Sequence, residues 1–172
     1  HGPGDARFSI ACLDPDADPA ARALFEALAP HAAWYDADTV GELLGETAAE
    51  LAGAGPTQPH YLVLYAVDAA RLTDGCGGDR LHRVLHDGPE RRTHVLAWWR
   101  GVARMRQDLG GPGARTDQIG AWVALDVQGA ELSGPLYPGA SGVDWYPRPW
   151  RGLFFDRSVH RSPQVIIPYG RT

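Results

Sequence analysis

Residues 81–99, LHRVLHDGPERRTHVLAWW, decide how the chain is read. Leu81, Val84 and Leu85 recur at helical spacing, Gly88-Pro89 breaks the pattern, and Thr93–Trp99 is an apolar run of strand length. A second run upstream, Tyr61–Val67 (YLVLYAV), is apolar at every position, the pattern of a parallel strand covered on both faces. Working outward, Phe8–Leu13 (FSIACL) reads as a strand ended by Asp14-Pro15. Asp18-Pro19 reads as the cap and first turn of a helix with Leu24, Phe25 and Leu28 inward and Pro30 at its end. Ala32–Tyr35 is a brief strand. Thr39 and Glu42 stand in capping-box spacing ahead of a helix that buries Val40, Leu43, Leu44 and Leu51. Asp79 is expected to cap a helix over Arg80–His86, and Arg100–Leu109 to form another, with Val102, Met105 and Leu109 on one side and Arg100 and Arg104 on a second. Ile119–Val127 is a long strand, and Gly152–Asp156 with Gln164–Ile167 an antiparallel pair at the sheet edge. Strands alternating with helices over residues 8–127 predict a mostly parallel α/β sheet.

Composition bounds the chemistry. The 172 residues suit one domain, residues 5–172, once the opening HGPG is set aside as a tag remnant. All 16 basic residues are Arg, so no GxxxxGK[ST] phosphate loop and no Schiff-base lysine can be built from this chain. The net charge of −5 argues against steering onto DNA by the overall field, and no apolar run reaches membrane-spanning length, so a cytoplasmic protein without membrane contact is expected. Cys12 and Cys76 make neither a disulfide framework nor a metal cluster, and Cys12 is expected in the core. His82 and His86, with Asp79 and Asp87 nearby, have ligand spacing without a third ligand in view, so no metal site is assigned. TDGCGG (73–78) reads as a turn, and Ser141 lacks the setting of a nucleophile elbow. No catalytic residue is assigned.

The order of four segments resembles the FtsK/SpoIIIE family of ring-shaped motors, in particular the FtsK-like proteins of actinobacteria and the type VII secretion motors. CLDPD (12–16) is similar to the strand end after the family's phosphate-loop helix, and APHAAWYDADTVGELLGETAAEL (29–51) to the stretch that follows. YLVLYAVDAARL (61–72) takes the place of the Walker B strand, and VLHDGPERRTHVLAWW (84–99) that of the helix, turn and sensor strand. The resemblance implies a three-layer, RecA-like (P-loop NTPase-like) α/β sheet, mostly parallel, with the antiparallel pair at its edge. It also implies an ATP- and Mg²⁺-dependent translocase, but only where a phosphate loop lies upstream of this segment.

The departures from the family are chemical. Ala66 and Val67 fall where the resemblance expects the metal-binding Asp and the water-polarising Glu. Asp68 comes next, about 6–7 Å beyond Ala66 if the strand continues. Ala97, Trp98 and Trp99 replace the sensor residues, and for the arginine finger Arg115 is the nearest candidate. Arg100, Arg104 and Arg106 are candidate contacts to DNA or a neighbouring subunit, against the plainer reading of a solvated helix face. Trp145, Tyr146, Arg148 and Trp150, in VDWYPRPW followed by Arg151, form a candidate protein-binding loop, against a loop folded back on the core. Three readings stay open. The chain is a degenerate motor domain that binds protein partners or like subunits of a ring. Alternatively it is the distal part of an active DNA or protein translocase, or an interaction module working through loop 143–151.

Overall fold

The apolar segments of the first hundred residues become strands, and along His60–Tyr65 the side chains alternate between a buried face and a half-covered one. A computed structural model describes residues 5–14, 16, 23, 26, 32–70, 72, 77–111, 116–134, 136, 137 and 142–168, in two compact units, residues 1–100 and 101–172. The expected helix carrying Leu24, Phe25 and Leu28, together with Cys76, Arg115 and Ser141, lies outside the described residues.

Unit 1 contains β1 (Arg7–Cys12), β2 (Ala33–Tyr35), α1 (Val40–Ala52), β3 (His60–Tyr65), α2 (Gly77–Asp87) and β4 (Thr93–Ala97). Its four strands form one parallel sheet in the order β2-β1-β3-β4. The steps from β2 to β3 and from β3 to β4 run in the same direction along the sheet, and the right-handed rule for parallel crossovers then puts α1 and α2 on one face. The burial agrees: His60, Leu62 and Leu64 of β3 are buried while Tyr61, Val63 and Tyr65 are half-covered. The helices contribute Val40, Leu43, Leu44, Ala48 and Leu51 from α1 and Leu81 and Val84 from α2, each large side chain stabilising by about 1.5–3 kcal/mol on full burial. The other face carries an aromatic row, Phe8 on Tyr61 at 5.4 Å and Tyr61 on His94 at 5.3 Å. β4 pairs only with β3 among the described residues, and Leu96 on this edge strand is 59% exposed.

Unit 2 contains α3 (Val102–Asp108), β5 (Ala121–Leu125), α4 (Gly129–Leu132), β6 (Gly152–Asp156) and β7 (Gln164–Ile166). The antiparallel pair β6–β7 forms as expected, but β5 joins it rather than the parallel sheet, giving a three-stranded antiparallel sheet. One face of that sheet is its core, with Trp122 against Phe155 at 5.6 Å, while Val123 and Leu125 on the other face are exposed. α4 was not legible as a helix. Its Gln128 and Glu131 close a capping box.

Several local expectations are corrected. The strand expected over Tyr61–Val67 stops at Tyr65 because Ala66 takes the left-handed conformation (φ 58°, ψ 54°) and Val67–Ala69 turns as a 3₁₀ segment. Thr39 makes no side-chain cap, so no capping box forms with Glu42. Asp36 instead fixes the turn before the helix: its Oδ1 accepts from the backbone N–H groups of Asp38 (3.1 Å) and Thr39 (3.0 Å) and from the Thr39 hydroxyl (2.8 Å). The Thr39 hydroxyl and amide hold the Asp36 carboxyl below its usual range. Asp79 lies inside the first turn of α2 rather than capping it, Leu85 is half-buried, and Cys12 is half-buried rather than core.

α2 ends at Gly88-Pro89 as expected, but Gly88 is not a left-handed cap. It keeps helical angles (φ −60°, ψ −51°), and the left-handed residue is Arg92 (φ 58°). A Cβ on Gly88 would lie 2.4 Å from the Val84 carbonyl oxygen and 2.7 Å from that of Thr93, so glycine is needed for close approach of the backbone. Gly88→Ala is therefore expected to lower unfolding free energy by about 2–3 kcal/mol, read as a lower urea midpoint at unchanged slope.

Candidate functional site

Ligands of parallel α/β sheets bind outside the carboxyl ends of the strands. In unit 1 that rim is assembled by the segments just beyond β1, β3 and β4. The Leu13 N–H donates to the Tyr65 carbonyl (3.0 Å), the Trp98 N–H to Leu64 (2.9 Å) and the Val67 N–H to Trp98 (3.0 Å), so the backbone pairing continues past the strand ends. Trp98 stacks on Tyr65 with ring centroids 4.8 Å apart. This continued pairing brings Asp14, Asp68 and Arg100 together.

Asp68 grips Arg100 at two places. Arg100 Nε donates to Asp68 Oδ2 at 2.7 Å, and the Arg100 backbone N–H donates to Oδ1 at 3.2 Å. Arg100 Nη1 also lies 3.5 Å from Asp14 Oδ2. The Asp68 side chain is only 10% exposed. Burial by itself pushes the Asp68 carboxyl up, but the hydrogen bonds and charge of Arg100 outweigh it and hold the group below its ordinary range. Arg100 is correspondingly raised, chiefly by its hydrogen bond to Asp68.

The sequence readings at this rim change accordingly. Ala66 and Val67 are not strand residues: the first turns the chain and the second is buried. Asp68 therefore sits on a 3₁₀ turn, and the 6–7 Å extension along a strand does not apply. Of the sensor positions, Ala97 ends β4 and Trp98 packs on Tyr65, while Trp99 is half-buried. Arg100 precedes the helix, which starts at Val102, so it shares no helix face with Arg104. Arg104 Nε instead pairs at 3.2 Å with Asp108, whose side chain is fully buried; the contact is an ion pair whose angles fall short of a hydrogen bond. Arg106 is half-buried on the same helix.

ATP and Mg²⁺, which the sequence resemblance implies, do not fit the residues present. The chain has no lysine to meet phosphate, Ala66 and Val67 stand where the sequence resemblance expects the two acids, and the nearby carboxylates Asp14 and Asp68 are already matched to a guanidinium. Among the described residues no three His, Cys, Asp or Glu side chains converge, and His86 pairs with Asp87 at 2.7 Å.

The loop at 142–151 in unit 2 is anchored at its root and bare at its tip. The Val143 N–H donates to the Ser133 hydroxyl (2.9 Å) and the Gly129 N–H to the Trp145 carbonyl (2.9 Å). Trp145 is half-buried, Arg148 is exposed, and Tyr146 and Trp150 are 72% and 81% exposed. Trp150 has φ 61°, and the Arg151 N–H closes a turn onto the Arg148 carbonyl (3.2 Å).

A cluster that sequence reasoning missed lies at the opposite end of the parallel sheet. His60 is 2% exposed. Its Nδ1 is 2.7 Å from Arg7 Nη2 and its Nε2 2.9 Å from Ser9 Oγ, while Arg7 also pairs with Glu50. Arg7 can only donate, so His60 Nδ1 accepts and Nε2–H donates to Ser9. No local signal marks this group, because it exists only in the β1–β3 register that puts Arg7 opposite His60. Burial, then the Arg7 charge, lowers the His60 pKa from 6.5 to about 4 against a smaller opposing effect of Glu50. Above pH 6.5 the ring is neutral in both folded and unfolded chains. Between 6.5 and about 4 only the unfolded chain takes the proton, so this group makes stability fall as pH drops through that window, by at most about 1.4 kcal/mol per pH unit. His60→Gln is expected to flatten that part of the stability–pH curve, measured as urea midpoints from neutral pH down to pH about 4.5.

No protein-family model matches the chain, and no curated protein matches it. Among solved structures, that of Thermomonospora curvata EccC (ATPases 2 and 3) in complex with a signal sequence peptide is similar over 100% of this chain, with a TM-score of 0.67 and 16% sequence identity. The chain spans about a third, 32%, of that chain's length. At that identity the likeness establishes the architecture: this is a mixed α/β protein of RecA-like fold.

Proposed function

We propose that the chain is a catalytically degenerate, motor-like module of an FtsK/SpoIIIE-type translocase, which binds protein partners in the cytoplasm rather than hydrolysing ATP by itself. The observation that carries the reading is the Asp14–Arg100–Asp68 cluster at the carboxyl rim of the parallel sheet. Phosphoryl transfer is catalysed by positioning and by cations placed against developing charge. Here the carboxylates that could hold such a cation are neutralised by the chain's own arginine. The likeness to EccC, whose solved form contains a signal sequence peptide, supports a partner that is a polypeptide. The exposed Tyr146 and Trp150, beside Arg148, supply the residue types that dominate protein-binding surfaces. The purified chain is expected to show no Mg²⁺-dependent ATP turnover above background in a coupled phosphate-release assay; clear turnover would sink the degenerate reading.

A second reading is favoured by the bare outer edge of β4, where Leu96 is exposed and the backbone ladder lacks a described partner. Unpaired strand edges are costly and prone to aggregation. A parallel strand carrying a phosphate loop, encoded upstream, would cover that edge and make the chain the distal part of an active motor. Adding the preceding genomic segment is then expected to raise the thermal midpoint and to introduce a GxxxxGK[ST] motif. An extension lacking both effects eliminates this alternative.

A further inference from the structure

The structure assigns to Arg100 the role of a tethered cation: it takes the place of a divalent metal ion between Asp14 and Asp68, and its removal opens a divalent-cation site. The inference extends the proposed function by naming what disables the rim.

One guanidinium stands between two carboxylates. Two carboxylates, one from the segment after β1 and one from the turn after β3, direct their Oδ2 atoms at one guanidinium, 3.5 Å and 2.7 Å away. The remaining oxygen of Asp68 is taken by the Arg100 backbone N–H at 3.2 Å. A carboxylate as enclosed as Asp68 needs a compensating charge, because desolvation penalises an unpaired anion. The compensation can come from a bound cation or from the chain. Here the chain supplies it, and with a group that does not deprotonate, so the neutralisation is independent of pH over the physiological range and of any ion in solution. The same contacts tie the chain beyond β4 to the turn beyond β3. An arrangement that a metal ion would close only when present is thereby held closed at all times. Arg104 pairs instead with Asp108 of its own helix.

The test uses the whole chain and Mn²⁺ alone as probe, without nucleotide, so that it is separate from the hydrolysis assay. Wild type and Arg100→Lys are expected to show no saturable Mn²⁺ binding by calorimetry or by loss of the free Mn²⁺ electron paramagnetic resonance signal. Arg100→Gln is expected to gain one saturable Mn²⁺ site and to rise in thermal midpoint on addition of Mn²⁺. Asp68→Asn in the Arg100→Gln background should abolish both effects. If Arg100→Gln does not fold alone, folding on addition of Mn²⁺ supports the proposal, and failure to fold with Mn²⁺ overturns it. It is likewise overturned if folded Arg100→Gln gains no binding, or if wild type binds Mn²⁺ in a way that Asp68→Asn removes. ATP turnover by wild type would defeat the degenerate reading and leave the Mn²⁺ comparison to decide the role of Arg100.

Discussion

The parallel register of β1, β3 and β4 is the constraint from which the rest of unit 1 follows. β3 is bonded on both sides, so every ladder group of a strongly apolar segment is satisfied and none is left to water. One alignment places Arg7 against His60 at the amino ends. It also lets pairing run on past the carboxyl ends through Leu13, Tyr65, Val67 and Trp98. A slip by one residue would turn His60, Leu62 and Leu64 out of the core and undo both polar clusters together. The two ends are therefore one structural decision, although they share no side chain.

How far the sequence could be read follows from whether a feature is local. Apolar runs are local, and β1, β3, β4, β6 and β7 were all legible to within about two residues, the usual uncertainty of element ends. Ala66 and Val67 defeated the reading because they are apolar yet leave the strand. Nothing in the composition of YLVLYAV distinguishes a buried turn from a continuing strand, and Ala66 is fully buried although its backbone is left-handed. β5 misled in a similar way. Its run, AWVAL, is apolar throughout and suited a covered parallel strand, whereas it is the edge of an antiparallel sheet with one face exposed. Thr39 is drawn away from capping because its hydroxyl and amide are both held by Asp36 in the turn before the helix, and the first helical amides go to the Thr39 carbonyl instead.

The rim was half legible. Missing lysines and acid pairs are plain in any reading of the chain, and they carried the expectation of a degenerate site. What composition could not supply was the partner of Asp68. Asp68 and Arg100 are separated by a helix and a strand, and their meeting depends on the turn at Ala66 and on Trp98 extending the pairing of β4. The Arg100 side chain looked like part of a solvated helix face with Arg104. In the structure the helix begins two residues later, and that displacement frees the guanidinium to reach back to the strand ends.

A nearly enclosed Asp68 held by arginine is not an obvious way to stabilise a fold. An apolar pair of similar volume would often do as well, since desolvation can cancel the attraction. What the ion pair adds is a fixed geometry: a carboxylate gripping both a side chain and the backbone N–H of the same residue specifies where the chain leaves β4. In a metal-dependent rim that placement would come and go with the ligand. Built from arginine, the placement does not depend on a dissociable ion. A module that serves as a steady docking element has use for such permanence, whereas a catalyst that must read the state of its nucleotide does not. That asymmetry ties the chemistry of a single guanidinium to the partner-binding reading.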